Sequence, residues 1–199
     1  MTTQSKLPDD LKGTLAKEQW WLLNKGQGVA NKNVTPGTPG IDLNVVPLWP
    51  FYTGKGVKVG VIDDGIDGNH EDFAGNFDQS LSLPDSLGGP FPVTKEDSHG
   101  TAVAGIIAGR RNNLGTVGIA YEATIAGYKY NDTNESPLRR LEAQANFDVS
   151  NNSWGPKDRF VPAKNVVAPI KNAVINGSGG WAQYLPLPGE TTAKMLTQI

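Results

Sequence analysis

The sequence of 199 residues contains no cysteine and only two histidines, His70 and His99. Without cysteine the chain forms no disulfide, no thiolate zinc site and no cysteine nucleophile. With two histidines and no His-x-x-x-His pair, it also lacks the usual ligands of a zinc or iron site. No apolar run approaches membrane-spanning length. Lys and Arg number 18 and Asp and Glu number 20, a balance that argues against a general polyanion binder. We therefore expect neither nucleic acid nor a membrane as a partner.

The length suits a single domain, and 38% hydrophobic residues are enough for a core. Residues 1–19 are polar and are expected to be loose. They contain no apolar segment of the kind that begins a signal peptide, so the compartment is left open. Residues 20–180 are expected to form the domain. Residues 181–199 break its pattern.

Strand and helix patterns alternate along the domain. The segment 57–63 is short, rich in β-branched residues and bounded by glycine, which is typical of a buried parallel strand. Residues 99–109 carry small and apolar residues at helical spacing, and Gly109 is expected to end that helix. Further strands are predicted at 124–130 and 148–154, and further helices at 137–147 and 163–175. This alternation predicts an α/β fold around a parallel sheet.

Asp63 ends the first predicted strand and His99 begins the first predicted helix. In a parallel α/β sheet such residues can meet at the carboxyl edge of the strands. An Asp that orients a His base is the arrangement that activates a serine nucleophile. The positive end of the helix is expected to lower the pKa of His99 somewhat. The plainer alternative is that Asp63 caps a turn and His99 caps the helix.

The residues around this pair strengthen the catalytic reading. Asp63-Asp64-Gly65 and His99-Gly100-Thr101 resemble, in order and spacing, the Asp and His motifs of the subtilisin/kexin-type serine proteases (subtilases, peptidase S8 family). Asn152-Ser153-Trp154-Gly155 is similar to their third landmark. The resemblance implies a three-layer subtilisin-like fold in which Asp63 orients the base and His99 is the base. It also implies that Ser153, Trp154 and Gly155 hold an extended peptide by backbone hydrogen bonds.

Two further details resemble the kexin branch of the family. These are the doubled Asp63-Asp64 and the run from Ser153 to Asp158, which reads Ser-Trp-Gly-Pro-Lys-Asp. The resemblance implies that Asp64 and Asp158 bind basic side chains of peptide or protein substrates. Solvent-facing loop acids are the alternative.

Family resemblance also implies a structural calcium ion. Asp72 and Asn113 lie in segments similar to the ligand loops of the family and offer the oxygen ligands that calcium prefers. Asp9 or Asp10 is a candidate third ligand. The absence of cysteine and the short loop from Arg110 to Thr116 depart from the kexin-type pattern.

The remaining catalytic elements of the family are missing. No Gly-Thr-Ser nucleophile motif occurs. After the helix predicted at 163–175 there is also no strand followed by a small-residue run ending in Gly-Asn, which is where the family places its oxyanion Asn. Ser178, in Asn-Gly-Ser-Gly-Gly, is read as a loop residue. We therefore interpret the chain as truncated before the Ser-bearing half and expect it to be inactive. One alternative is a non-catalytic pseudoprotease that binds extended peptides through residues 153–155. Another is an unrelated α/β hydrolase that uses Asp63 and His99 in a different way.

The tail from residue 181 departs from the pattern of the fold in a way that can be tested. A parallel sheet calls here for an apolar strand, but Pro186 and Pro188 would disrupt a central strand. We considered the codons that could encode the chain from Gly180 onward and read them in the frame that starts on the last base of the Gly180 codon. In that frame they can encode Leu-Gly-Thr-Ile-Phe-Thr-Phe-Ala-Gly-Gly-Asn-Asp. Our hypothesis is that residues 181–199 are out-of-frame translation. Sequencing the gene should reveal that frame, followed by a Gly-Thr-Ser codon run. A gene with no such frame would rule the hypothesis out.

Overall fold

The computed structural model describes residues 6–11, 15–28, 35–84, 89–129, 142–153 and 167–176. Its strands are β1 (Lys58–Asp63), β2 (Thr124–Lys129) and β3 (Val149–Asn152), and its helices are α1 (His99–Ala108) and α2 (Val167–Asn176). Short 3-10 turns join them, including one at Ala143–Asn146. No helix among the described segments is long and apolar enough to cross a membrane.

The three strands form one parallel sheet in the order β2-β1-β3. Asp63 is in register with Lys129 of β2, and Ile62 is in register with Asn152 of β3. Since parallel strands end at a common edge, Asp63 and the residue after Asn152 emerge at the same edge of the sheet. The central position of β1 leaves its residues from Val59 onward buried.

Both faces of the sheet are covered, as buried parallel strands require. Val61 and Ile125 face a cluster that includes Ala104 and Ala108 of α1. Ile62 and Tyr128 face the opposite cluster, where Phe147 packs. The alternation follows the two-residue period of a strand, and α2 packs on the turn at Ala143–Asn146 of the second layer. The prediction of an α/β fold around a parallel sheet is confirmed.

The element boundaries differ in detail from the sequence predictions. β1 begins one residue after the predicted start at 57, and β2 ends one residue before the predicted end at 130. α2 starts at Val167 rather than at 163. Part of the helix predicted at 137–147 lies outside the described residues, and its last turn is 3-10 rather than α-helical. Residues 181–199 also lie outside the described residues.

The described part of the N-terminal segment is docked, in contrast to the loose segment expected from its polarity. Leu11 and Ala16 are buried in a cluster with Trp49 and Val117. The Gln19 side chain donates to the carbonyl of Val117 and accepts from its N–H, both at 2.9 Å. These partners lie 98 positions away in sequence. A local polarity pattern therefore cannot reveal that Gln19 works as a buried, paired group.

Candidate active site

Asp63 and His99 form a hydrogen-bonded pair at the carboxyl edge of the sheet. Asp63 is the last residue of β1 and is buried, while His99 is the first residue of α1. Nδ1 of His99 lies 2.8 Å from Oδ1 of Asp63. A carboxylate only accepts hydrogen bonds, so Nδ1 carries the proton and a neutral ring presents Nε2 as a base. The His99 side chain is 59% exposed, so an incoming group can reach it.

The environment of Asp63 is asymmetric. Its Oδ1 also accepts the backbone N–H of Asp64 at 2.8 Å. Its Oδ2 is buried, and no described group donates a hydrogen bond to it. The carboxylate is thus held through the oxygen that faces His99, which fixes the orientation of the ring.

The pKa of His99 is raised above its ordinary value of 6.5. The hydrogen bond to Asp63 is the main cause, burial opposes it, and the negative charges of Asp63 and Asp64 add to the rise. The net shift is upward, opposite to the direction expected from the helix N-terminus alone. The physical reason is that the Asp64 carboxylate accepts the first N–H groups of α1, so negative charge stands where the positive end of the helix would act.

The structure places Asp64 against the backbone of α1. Its Oδ2 accepts the N–H of His99 at 3.0 Å, and its Oδ1 accepts the N–H of Gly100 at 2.7 Å. Sequence reasoning missed this contact, because it joins residues 35 and 36 positions apart. The only local hint was the doubled Asp followed by Gly, which it assigned to substrate binding.

The predicted peptide-binding residues are only partly described. Ser153 directly follows β3, its side chain is exposed, and its hydroxyl accepts a hydrogen bond from Nδ2 of Asn151 at 2.8 Å. The β1–β3 register brings Ser153 to the same sheet edge as Asp63. Trp154, Gly155 and Asp158 lie outside the described residues, so their substrate-binding roles stay predictions.

Comparison with known proteins identifies the family. The sequence model of the Subtilase family (peptidase S8) matches residues 54–193, which is more than half of the chain. The chain therefore belongs to the subtilase family, the subtilisin-type serine endopeptidases. The match runs past Gly180 into the tail at 181–199, and the proposed loss of frame there stays a prediction.

Individual relatives agree with this assignment. Neuroendocrine convertase 2 of Homo sapiens is 35% identical over 185 residues, covering 83% of this chain and 27% of the convertase. The PC3-like endoprotease variant B of Hydra vulgaris is 39% identical over 155 residues, covering 71% of this chain and 20% of that protein. The crystal structure of a serine protease of Aeromonas sobria matches with a TM-score of 0.72 and 27% identity, covering 93% of this chain and 33% of that one. The chain thus spans about a third or less of each of these relatives.

Structural calcium is common among subtilases, but the residues predicted to hold it here have other partners. Asp72 is buried, and its carboxylate accepts hydrogen bonds from the Thr116 hydroxyl at 2.6 Å and the Thr116 N–H at 3.1 Å. Asp10 forms an ion pair with Arg111. Asn113 is exposed. Hydrogen-bond donors and a guanidinium stand where a cation would need acceptors. In the described part of the chain no three His, Asp or Glu side chains cluster as metal ligands. These residues do not fit a calcium ion.

The raised pKa of His99 yields a first test. We expect the His99 imidazole to titrate above 6.5 in an NMR pH titration, and Asp63→Asn to lower its pKa because the charged acceptor is lost. A histidine whose folded pKa is raised stabilises the fold fully below pH 6.5, and this contribution is lost as pH rises through the folded pKa. His70→Ala assigns the signals, since only two histidines exist. Equal His99 titration in wild type and Asp63→Asn would contradict the pairing.

The calcium result yields a second test. We expect the melting temperature to be equal in calcium chloride and in a calcium chelator. Thr116→Val should lower the free energy of unfolding by about 1–3 kcal/mol in both conditions, since the buried Asp72 loses a charge-assisted donor. Thr53→Val is the matched control, because the Thr53 hydroxyl bonds to Glu122 at the surface. A clear rise of the melting temperature in calcium would show that a cation site exists after all.

Proposed function

We propose that this chain supplies the acid and the base of a serine endopeptidase that hydrolyses peptide bonds through an Asp-His-Ser triad. The observation that carries the proposal is the 2.8 Å hydrogen bond between His99 and the buried Asp63 at the carboxyl edge of the sheet. Membership of the subtilase family supports it. Asp63 precedes His99 along the chain, as the Asp precedes the His and then the Ser in the subtilisin triad.

In this mechanism His99 moves one proton at Nε2. The ring accepts the hydroxyl proton of the serine while the serine oxygen bonds to the scissile carbonyl carbon. Asp63 stays ionised and stabilises the resulting imidazolium through Nδ1. The ring then returns the proton to the leaving amine as the carbon–nitrogen bond breaks, which leaves an acyl-enzyme. Water hydrolyses the acyl-enzyme with the same ring as its base.

The serine of the triad has no counterpart in this sequence, because a Gly-Thr-Ser motif is absent. The proposal is therefore that the 199-residue chain is inactive by itself, and that the chain continued in the alternative frame is active. The substrates proposed are peptides and proteins. A preference for basic residues rests on the resemblance at Asp64 and Asp158. Each oxygen of Asp64 accepts one hydrogen bond from α1 and keeps a second lone pair for a substrate cation.

Ser153 supports the second candidate, a non-catalytic protein that binds extended peptides. Ser153 is exposed directly after β3, and among the described strands β3 has a neighbour only on its β1 side. An extended peptide could add to the other edge by backbone hydrogen bonds. This candidate requires binding without turnover.

Peptide hydrolysis tests the proposal. The 199-residue chain and the frame-restored chain are compared on fluorogenic peptides that carry Arg, Lys or Leu before the cleaved bond. We expect turnover only from the restored chain, and a loss of about four to six orders of magnitude in kcat with His99→Ala. His70→Ala is the matched control and should keep its activity. Turnover that survives His99→Ala would refute the triad, and peptide binding without any turnover would favour the second candidate.

A further inference from the structure

We propose that Asp64 is a positioning residue that fixes the start of α1, and with it His99, against the end of β1. The proposal rests on the proposed function, in which His99 is the base. It differs from the role in binding basic side chains that the kexin-type pattern implies for Asp64.

The first evidence is how the N-terminus of α1 is capped. Ser98 occupies the cap position, but its side chain makes no capping hydrogen bond. The carboxylate of Asp64 instead accepts the N–H groups of His99 and Gly100, at 3.0 and 2.7 Å. The first N–H groups of a helix have no partner within it. A residue from the end of a strand therefore does for α1 what a local cap normally does.

The second evidence is that two neighbouring carboxylates hold the same residue by different groups. Asp63 accepts a hydrogen bond from the His99 ring, and Asp64 accepts one from the His99 backbone. The N–H of Asp64 also donates to Asp63, which ties the two acids together. With both the backbone and the ring anchored to β1, the position of Nε2 is fixed from two sides.

The third observation is the close approach between the start of α1 and the residues at the end of β1. A Cβ added at Gly100 would lie 2.3 Å from the carbonyl oxygen of Gly65 and 3.0 Å from Oδ1 of Asp64. Any side chain at position 100 would therefore push α1 away from Asp64 and open the contact. The added Cβ would also lie 2.9 Å from Cβ of Asp63. Glycine at position 100 therefore lets α1 approach the end of β1 closely enough for the Asp64 carboxylate to reach the first N–H groups of the helix.

The consequence for specificity is direct. Each carboxylate oxygen of Asp64 accepts one backbone hydrogen bond from α1, so a substrate cation bound by Asp64 would share this carboxylate with the N-terminus of the helix. Asp64 is also partly buried. We therefore assign the Asp64 charge to orienting His99.

The test is made on the 199-residue chain and needs no turnover. Amide exchange at His99 and Gly100 and the NMR titration of His99 are compared in wild type, Asp64→Ala and Asp64→Asn. In Asp64→Ala we expect both amides to exchange at least about fivefold faster, as loss of a helix cap implies. We also expect a lower pKa of His99. Asp64→Asn should lower that pKa as well, because it removes the charge, with a smaller effect on exchange, because its side-chain oxygen can keep one hydrogen bond.

Asp67→Asn is the matched control. Asp67 is an acid in the same loop, but its carboxylate accepts a hydrogen bond from Asn69 and not from α1. It should leave the exchange of both amides unchanged. Should Asp64→Ala fail to fold, Asp64→Asn still reports the titration of His99. The proposal is overturned if Asp64→Asn shows the same amide exchange rates at His99 and Gly100, and the same pKa of His99, as the wild type.

The two proposals fail separately. A wild-type His99 that titrates at its ordinary value removes the Asp63–His99 pair and with it the proposed triad. The amide exchange of the Asp64 variants still decides whether Asp64 holds α1.

Discussion

The hydrogen bond between Nδ1 of His99 and Oδ1 of Asp63 depends on the parallel register of a three-stranded sheet. β1 runs between β2 and β3, so its last residue is buried and cannot shift without breaking pairs on both sides. α1 packs on this strand through small residues such as Ala104 and Ala108. The buried end of a central strand and the first turn of a closely packed helix are therefore brought into contact. The chemistry of the site needs that contact before anything else.

Three carboxylates beside α1 illustrate how differently a buried or partly buried charge can be satisfied. Asp63 has an imidazole, Asp64 has two backbone N–H groups and Asp72 has the hydroxyl and N–H of Thr116. An ionised carboxyl group is costly to bury without such partners. The partners differ in kind: Asp63 faces an imidazole, Asp64 faces the first backbone N–H groups of α1, and Asp72 faces a threonine.

Much of the fold and half of the site could be predicted from sequence, because the relevant signals are local. The β-branched run before Asp63 predicted β1, and the small-residue helix after His99 predicted α1 to within a residue at its end. The family motifs paired Asp63 with His99. The roles of Asp64 and Asp72 could not be predicted, because their partners lie 35 or more positions away. The docked N-terminal segment was missed for the same reason, since Gln19 looks polar and exposed until Val117 is beside it.

The sequence by itself determined which groups are available: one Asp-His pair in the order of the subtilases, no cysteine, and no Gly-Thr-Ser motif. These properties follow from residue identity and order, so no folding is needed to read them. Only the tertiary structure decided what each acid does. Hydrogen bonds and Coulomb interactions act over a few ångströms, and the sheet register and the close packing of α1 choose which distant groups come within that range. That choice makes Asp64 the partner of a helix and Asp63 the partner of a base.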